Sequence, residues 1–120
     1  MQARQTLADI QHLLTTVLKA PTRWQGLAPF ADTDGDLAAQ VLDEAAKFVD
    51  SAIAPLQRSG DEEGCRFDGG QVHTPAGFRD AYQAFWQAGW PSLSCAPDDG
   101  GQGLPAVLEC VLFEWLSLIH

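Results

Sequence analysis

The residues with the most chemical promise are Asp32-Thr33-Asp34-Gly35-Asp36, three carboxylates at alternate positions. A calcium loop opens this way, with oxygen ligands at its first, third and fifth residues. Such a loop also needs glycine at its sixth position and a bidentate glutamate at its twelfth, where this chain has Leu37 and Asp43. Leu37 also begins an apolar stripe at helical spacing, so an acidic cap on a helix N-terminus accounts for the same residues. A second candidate, Gly100-Gly101-Gln102-Gly103, precedes a helix as a phosphate loop does. It lacks the Lys-Ser/Thr pair, the GxGxxG spacing and a preceding strand, and Asp98 and Asp99 would repel a bound phosphate. It reads as a structural turn.

The remaining reactive side chains form no constellation. Cys95 and Cys110 have no local base and are expected to be core residues. Ser92 and Ser94 lack a GxSxG elbow. His12, His73 and Cys65 have no metal-ligand spacing, and Asp61-Glu62-Glu63 reads as a solvated loop bracketed by Gly60 and Gly64. No catalytic, cofactor-binding or metal residue is assigned on this basis.

The elements that position these residues are mainly helical. Over residues 6–19, Leu7, Ile10, Leu14, Val17 and Leu18 recur at helical spacing, with Thr6 as N-cap and Pro21 as the stop. An irregular piece follows, whose Trp24, Leu27 and Phe30 could plug a groove. A second helix, capped by Thr33 or Asp34, carries a stripe from Leu37 to Leu56 and an Asp43–Lys47 pair on its other face. Pro55 should end or kink it near Ala54. Cys65–His73 reads as a small hairpin about Gly69-Gly70, and a lone hairpin should lean on helices. Thr74-Pro75 opens a third helix with Phe78, Tyr82, Phe85 and Trp86 on one face. Leu104–Ile119 forms a fourth, apolar nearly all round and therefore expected to be buried in a core or interface. Trp90–Leu104 must fold tightly between the last two, with Trp90 as anchor.

The 120 residues are 46% hydrophobic and 19% charged, one globular domain's worth. The formal net charge of −9, with no basic patch, argues against nucleic acid and anionic membranes as partners. Three widely spaced cysteines, no signal-peptide core and no bilayer-length apolar run point to the cytoplasm.

Gly89-Trp90-Pro91, followed by Pro97-Asp98-Asp99-Gly100-Gly101-Gln102-Gly103-Leu104, resembles the N-terminal helical domain of acyl-CoA dehydrogenases. There a Gly-Trp helix end leads to Pro-(Glu/Asp)-x-Gly-Gly-x-Gly and a long buried helix. Trp90, Pro97, Gly100, Gly101 and Gly103 are the structural signature. Asp9–Leu18, Ala54-Pro55-Leu56, Gly60–Cys65 and Thr74–Tyr82 are similar to the bacterial long-form subgroup with an extra N-terminal helix. Asp99 stands where that subgroup has an aromatic residue, and is read as a tolerated surface change.

The resemblance implies oxidation of acyl-CoA thioesters at the α,β bond. In the family a glutamate base takes the α-proton and a hydride passes to FAD. Complete members place the flavin contacts and the base mainly in later domains, so no position here inherits a catalytic role. The expected fold class is all-α: a small bundle of about four helices with one short β-hairpin. Residues 1–32 would be an extension helix and linker, and 33–120 the core helices. The expected function is that of a truncated N-terminal domain, inactive alone, with FAD and acyl-CoA bound only by the complete enzyme. The alternative is a non-enzymatic helical module that associates with itself. Either way a homo-oligomer is expected through the C-terminal helix, with Val107, Val111, Trp115 and Leu118 as the association surface.

Overall fold

The computed structural model describes residues 2–118, with the side chain of Leu118 outside that description. Its helices are α1 (Ala3–His12), α2 (Ala20–Gln25), α3 (Gly35–Phe48), α4 (Leu56–Glu63), α5 (Phe78–Gln87) and α6 (Ala106–Leu118), with strands β1 (Arg66–Asp68) and β2 (Gln71–His73). The fold is all-α with one short hairpin, and α1, α3, α5 and α6 are the four expected helices. Ile119 lies outside the described residues.

The apolar stripe of α3 places this helix at the centre, between α1 and α6. Ala38, Leu42, Ala45 and Ala46 are buried along α3, meeting Ala3 and Leu14 on one side and Leu108, Val111, Leu112 and Trp115 on the other. Leu42, Leu93, Leu108, Leu112 and Val49 are the largest fully buried side chains, each stabilising by about 1.5–3 kcal/mol relative to exposure. Trp115 Nε1 donates to Thr6 Oγ1 at 2.9 Å, so α6 is tied to α1 through the core. On the outer face of α3, Lys47 sits 2.7 Å from Asp43 and 2.8 Å from Glu44.

Several element boundaries depart from expectation, each for an identifiable reason. Thr6 is not the N-cap of α1: Gln2 and Gln5 form a capping box, and the Asp50 carboxylate accepts from Ala3 N and Arg4 N at 2.7 and 3.1 Å. A cap supplied from 47 residues away leaves no local signal. Pro21 does not stop the first helix. The helix widens into a π-turn over Leu13–Val17 and ends where Lys19 adopts φ +51, and Pro21 opens α2. Proline suits a first turn because its missing N–H is unneeded there. The irregular piece is therefore partly helical, with Trp24 buried and Leu27 exposed.

Asp34, not Thr33, caps α3, accepting from Leu37 N at 2.8 Å. The helical run continues as a π-turn over Val49–Ile53 and breaks before Pro55, as expected. The expected acidic loop is instead helical, forming α4. Helix α5 begins at Phe78, later than Thr74-Pro75 suggested.

The hairpin forms where expected, with Phe67 opposite Val72, around Gly69-Gly70 at φ +56 and +80. It does not lean on helices: all six strand residues are exposed. Nor is α6 buried all round, since Cys110, Phe113 and Glu114 face outward. Cys95 and Cys110 are both exposed rather than core residues.

The molecule is a slab of 55 × 34 × 16 Å with a radius of gyration of 16.6 Å, against about 14 Å for a compact chain of this length. Its surface is 7697 Å², where a compact monomer would expose roughly 6,300 Å². Phe78, Tyr82 and Trp86 of α5 and Phe67 and Val72 of the hairpin are among the exposed large apolar side chains.

Candidate functional site: a closed corner and an open groove

The corner between α5 and α6 is built from the glycine signature. Ala88 caps α5, and short 3₁₀ turns at Trp90–Ser92 and Pro97–Asp99 fold the chain back on itself. The backbone amides of its glycine run are consumed internally. Gly100 N donates to Pro97 O, Gly101 N to Ala96 O, Gln102 N to Ser92 O, Gly103 N to Cys95 O and Leu104 N to Leu93 O, all at 2.9–3.0 Å. A phosphate cradle needs such amides free and converging on a ligand. A Cβ at Gly101 would meet Cys95 O at 2.1 Å, so the glycine is required by the chain's own backbone rather than by a ligand's approach. Asp98 and Asp99 lie exposed beside the turn. The corner therefore does not fit the pyrophosphate of a dinucleotide cofactor.

Its anchors are packing contacts. The Trp90 ring stands 5.9 Å from that of Phe48, and Phe48 lies 6.3 Å from Phe85. Gln102 Nε2 donates to Gly89 O at 2.8 Å, fastening the turn to the end of α5. Ser94 Oγ donates to a carboxylate oxygen of Glu109, fastening it to α6. The Trp90 indole N–H is buried with no partner in the chain.

The second feature is a groove along α5. A cleft of about 830 Å³ passes between α4 and Phe78, with Arg58 and Asp61 at its polar end. Through Ile53, Leu56 and Phe78 it meets a smaller groove of about 220 Å³, walled by Tyr82, Phe85 and Leu116. The Phe78 ring rests on the backbone of α4 at Gly60, where any Cβ would fall 2.5 Å from it. Arg58 is held by Glu62 at 2.8 Å. The smaller groove has no titratable or nucleophilic lining besides the Tyr82 phenol, so it suits an apolar segment and supplies no acid–base chemistry. The aromatic face of α5 was legible in sequence. Its meeting with Ile53, Leu56 and Leu116 required the fold.

The C-terminal helix contributes less surface than its composition suggested. Val111 and Trp115, at 7% and 2% exposure, belong to the chain's own core, and Val107 is half-buried. Helix α5 instead presents Tyr82 and Trp86, at 62% and 57% exposure, with their rings edge-on 6.2 Å apart. Among the described residues no group of three His, Cys, Asp or Glu side chains could hold a metal, and Asp34 serves as a helix cap. No helix among them is long and apolar enough to cross a membrane.

No family model matches the chain. Over 90 residues, 75% of its length, it is 39% identical to the 3-methylmercaptopropionyl-CoA dehydrogenase of Ruegeria pomeroyi. The chain belongs to the acyl-CoA dehydrogenase family. It spans 15% of that relative's length. The acyl-CoA dehydrogenase signature at Trp90–Leu104 thus acts here as a packing corner, and the chain's open apolar surface lies along α5.

Proposed function

We propose that this chain is the N-terminal helical part of an FAD-dependent acyl-CoA dehydrogenase-like oxidoreductase and is inactive by itself. The observation that carries the reading is the 39% identity over 90 residues to a CoA-thioester dehydrogenase of which the chain spans only 15%. The internally bonded glycine run supports it, because the amides of Gly100, Gly101, Gln102 and Gly103 are all bonded within the chain. In this reading the groove along α5 is a surface that the rest of such an enzyme would cover. The visible spectrum of the purified 120-residue chain tests it. Absence of flavin bands and of acyl-CoA oxidation is expected; flavin near one equivalent per chain would overturn the claim.

A second reading, a self-associating helical module, is favoured by the surface itself. The roughly 1,400 Å² exposed beyond that of a compact monomer exceeds the ~800 Å² per partner that a standard interface covers. With Val111 and Trp115 committed to the core, the association surface moves to Phe78, Tyr82 and Trp86 on α5. Sedimentation velocity should give a homo-oligomer at tens of micromolar; a well-behaved monomer would refute this reading.

A further inference from the structure

The chain carries an apolar knob and an apolar hole that it does not bring together itself. The knob is on the hairpin. Phe67 and Val72 lie directly opposite in the β1–β2 register, so their side chains project from one face of the ribbon. They stand 73% and 67% exposed, and all six strand residues are uncovered. A lone two-stranded hairpin is marginal in water and needs an apolar face packed against something else.

The hole is the smaller groove on α5. It holds about 220 Å³ and is walled by Ile53, Leu56, Phe78, Tyr82, Phe85 and Leu116, with no charged side chain in its lining. A cavity of about 150 Å³ is enough for benzene, so this groove has room for one phenyl ring. Its walls are held by packing. Phe85 lies 6.3 Å from Phe48, and the Phe78 ring rests on α4 at Gly60. Little ordering is therefore left for an occupant to impose.

We infer that a second copy of this chain fills the groove, with Phe67 and Val72 of each hairpin seated against α5 of the other copy. A two-fold axis that puts a knob in one groove puts its mate in the other, and this chain owns both surfaces. The roughly 1,400 Å² exposed beyond a compact monomer's surface is more than the ~800 Å² per partner that a standard interface covers. Each copy carries a net charge of −9, so pairing works against repulsion and depends on the apolar seat. The seating rests on the self-association reading above and names the counterpart of α5.

Sedimentation velocity of the 120-residue chain and two variants tests the seating. Phe67→Ser removes the knob, and Ala81→Trp fills the groove that Ala81 lines. Each variant loses both seats and should weaken dimerisation about a hundredfold, roughly tenfold for each seat. Mixed one to one, the two variants keep one intact seat and should form a heterodimer about tenfold tighter than either homodimer. Added salt should tighten the dimer of the unsubstituted chain by screening its like charges. If Ala81→Trp fails to fold, Phe67→Ser and Val72→Ser, both on the exposed ribbon, decide the matter. A monomer at tens of micromolar would overturn the seating together with the self-association reading, and leave the groove to the rest of a longer enzyme. A dimer that ignores Phe67→Ser and Val72→Ser would overturn the seating alone.

Discussion

The corner at Gly89–Leu104 and the outer face of α5 adjoin in sequence and are opposites in physics. In the corner every amide from Asp99 to Leu104 is bonded to a carbonyl of the same turn, and Gly101 has a backbone oxygen where a side chain would go. On α5, Tyr82 and Trp86 stand in solvent, with Phe67 and Val72 of the hairpin also exposed at 73% and 67%. The corner carries the motif by which the family is recognised, and the amides of its glycine run are bonded within the chain. The face of α5 carries no motif, and it is where the surface most resembles an interface left uncovered. A family signature can therefore mark a packing requirement rather than the place where chemistry happens.

That contrast can be broken at its stiff end first. Gly101→Ala drives a methyl into Cys95 O, and a destabilisation of about 3 kcal/mol or more is expected from backbone that must shift. Thermal unfolding should show a large drop in Tm; an unchanged melt would mean that the corner is soft. Leu108→Ala removes a fully buried side chain where α6 meets the core and should cost about 2–5 kcal/mol by denaturant titration. Asp50→Asn weakens the remote cap on α1 and should cost about 0.5–2 kcal/mol, with hydrogen exchange quickening first at the amides of Ala3 and Arg4.

At the open end, Trp86→Ser should leave the monomer's stability within about 0.5 kcal/mol while reducing any self-association seen by sedimentation. A strong loss of stability would show that this face is already covered within the chain. The smallest effect belongs to Asp43. The Lys47 ammonium bonded to it holds the Asp43 carboxyl below the ordinary carboxylate range, and Asp43 and Glu44 together raise Lys47. A lowered carboxyl pKa means that the pair's contribution is present above the unfolded-state value and is lost as pH falls through the folded one. Asp43→Asn should thus matter slightly at neutral pH and not at all in strong acid, with the shifted titration visible by NMR.

Much of this was legible in the residues. The stripe of α3, the Asp43–Lys47 pair, the break at Pro55, the Gly69-Gly70 hairpin and the aromatic face of α5 all follow from spacing and turn chemistry that act within a few residues. Three of the departures share a cause. Helix α1 is capped by Asp50, the Thr6 hydroxyl is matched by Trp115, and Cys110 turns outward although its helix is apolar nearly all round. Each depends on a neighbour far away in the chain.

The candidate sites divide in the same way. By itself the sequence determined the fold class, the family and the absence of a free phosphate-binding loop, because helical periodicity, proline, glycine and neighbouring charge are local properties. Only the tertiary structure decided that Val111 and Trp115 are core, that α5 rather than α6 carries the open apolar surface, and that the Trp90 indole N–H lies buried with no partner in the chain. Which face of a helix is covered, and whether a buried indole N–H finds a partner, are set by how the elements pack.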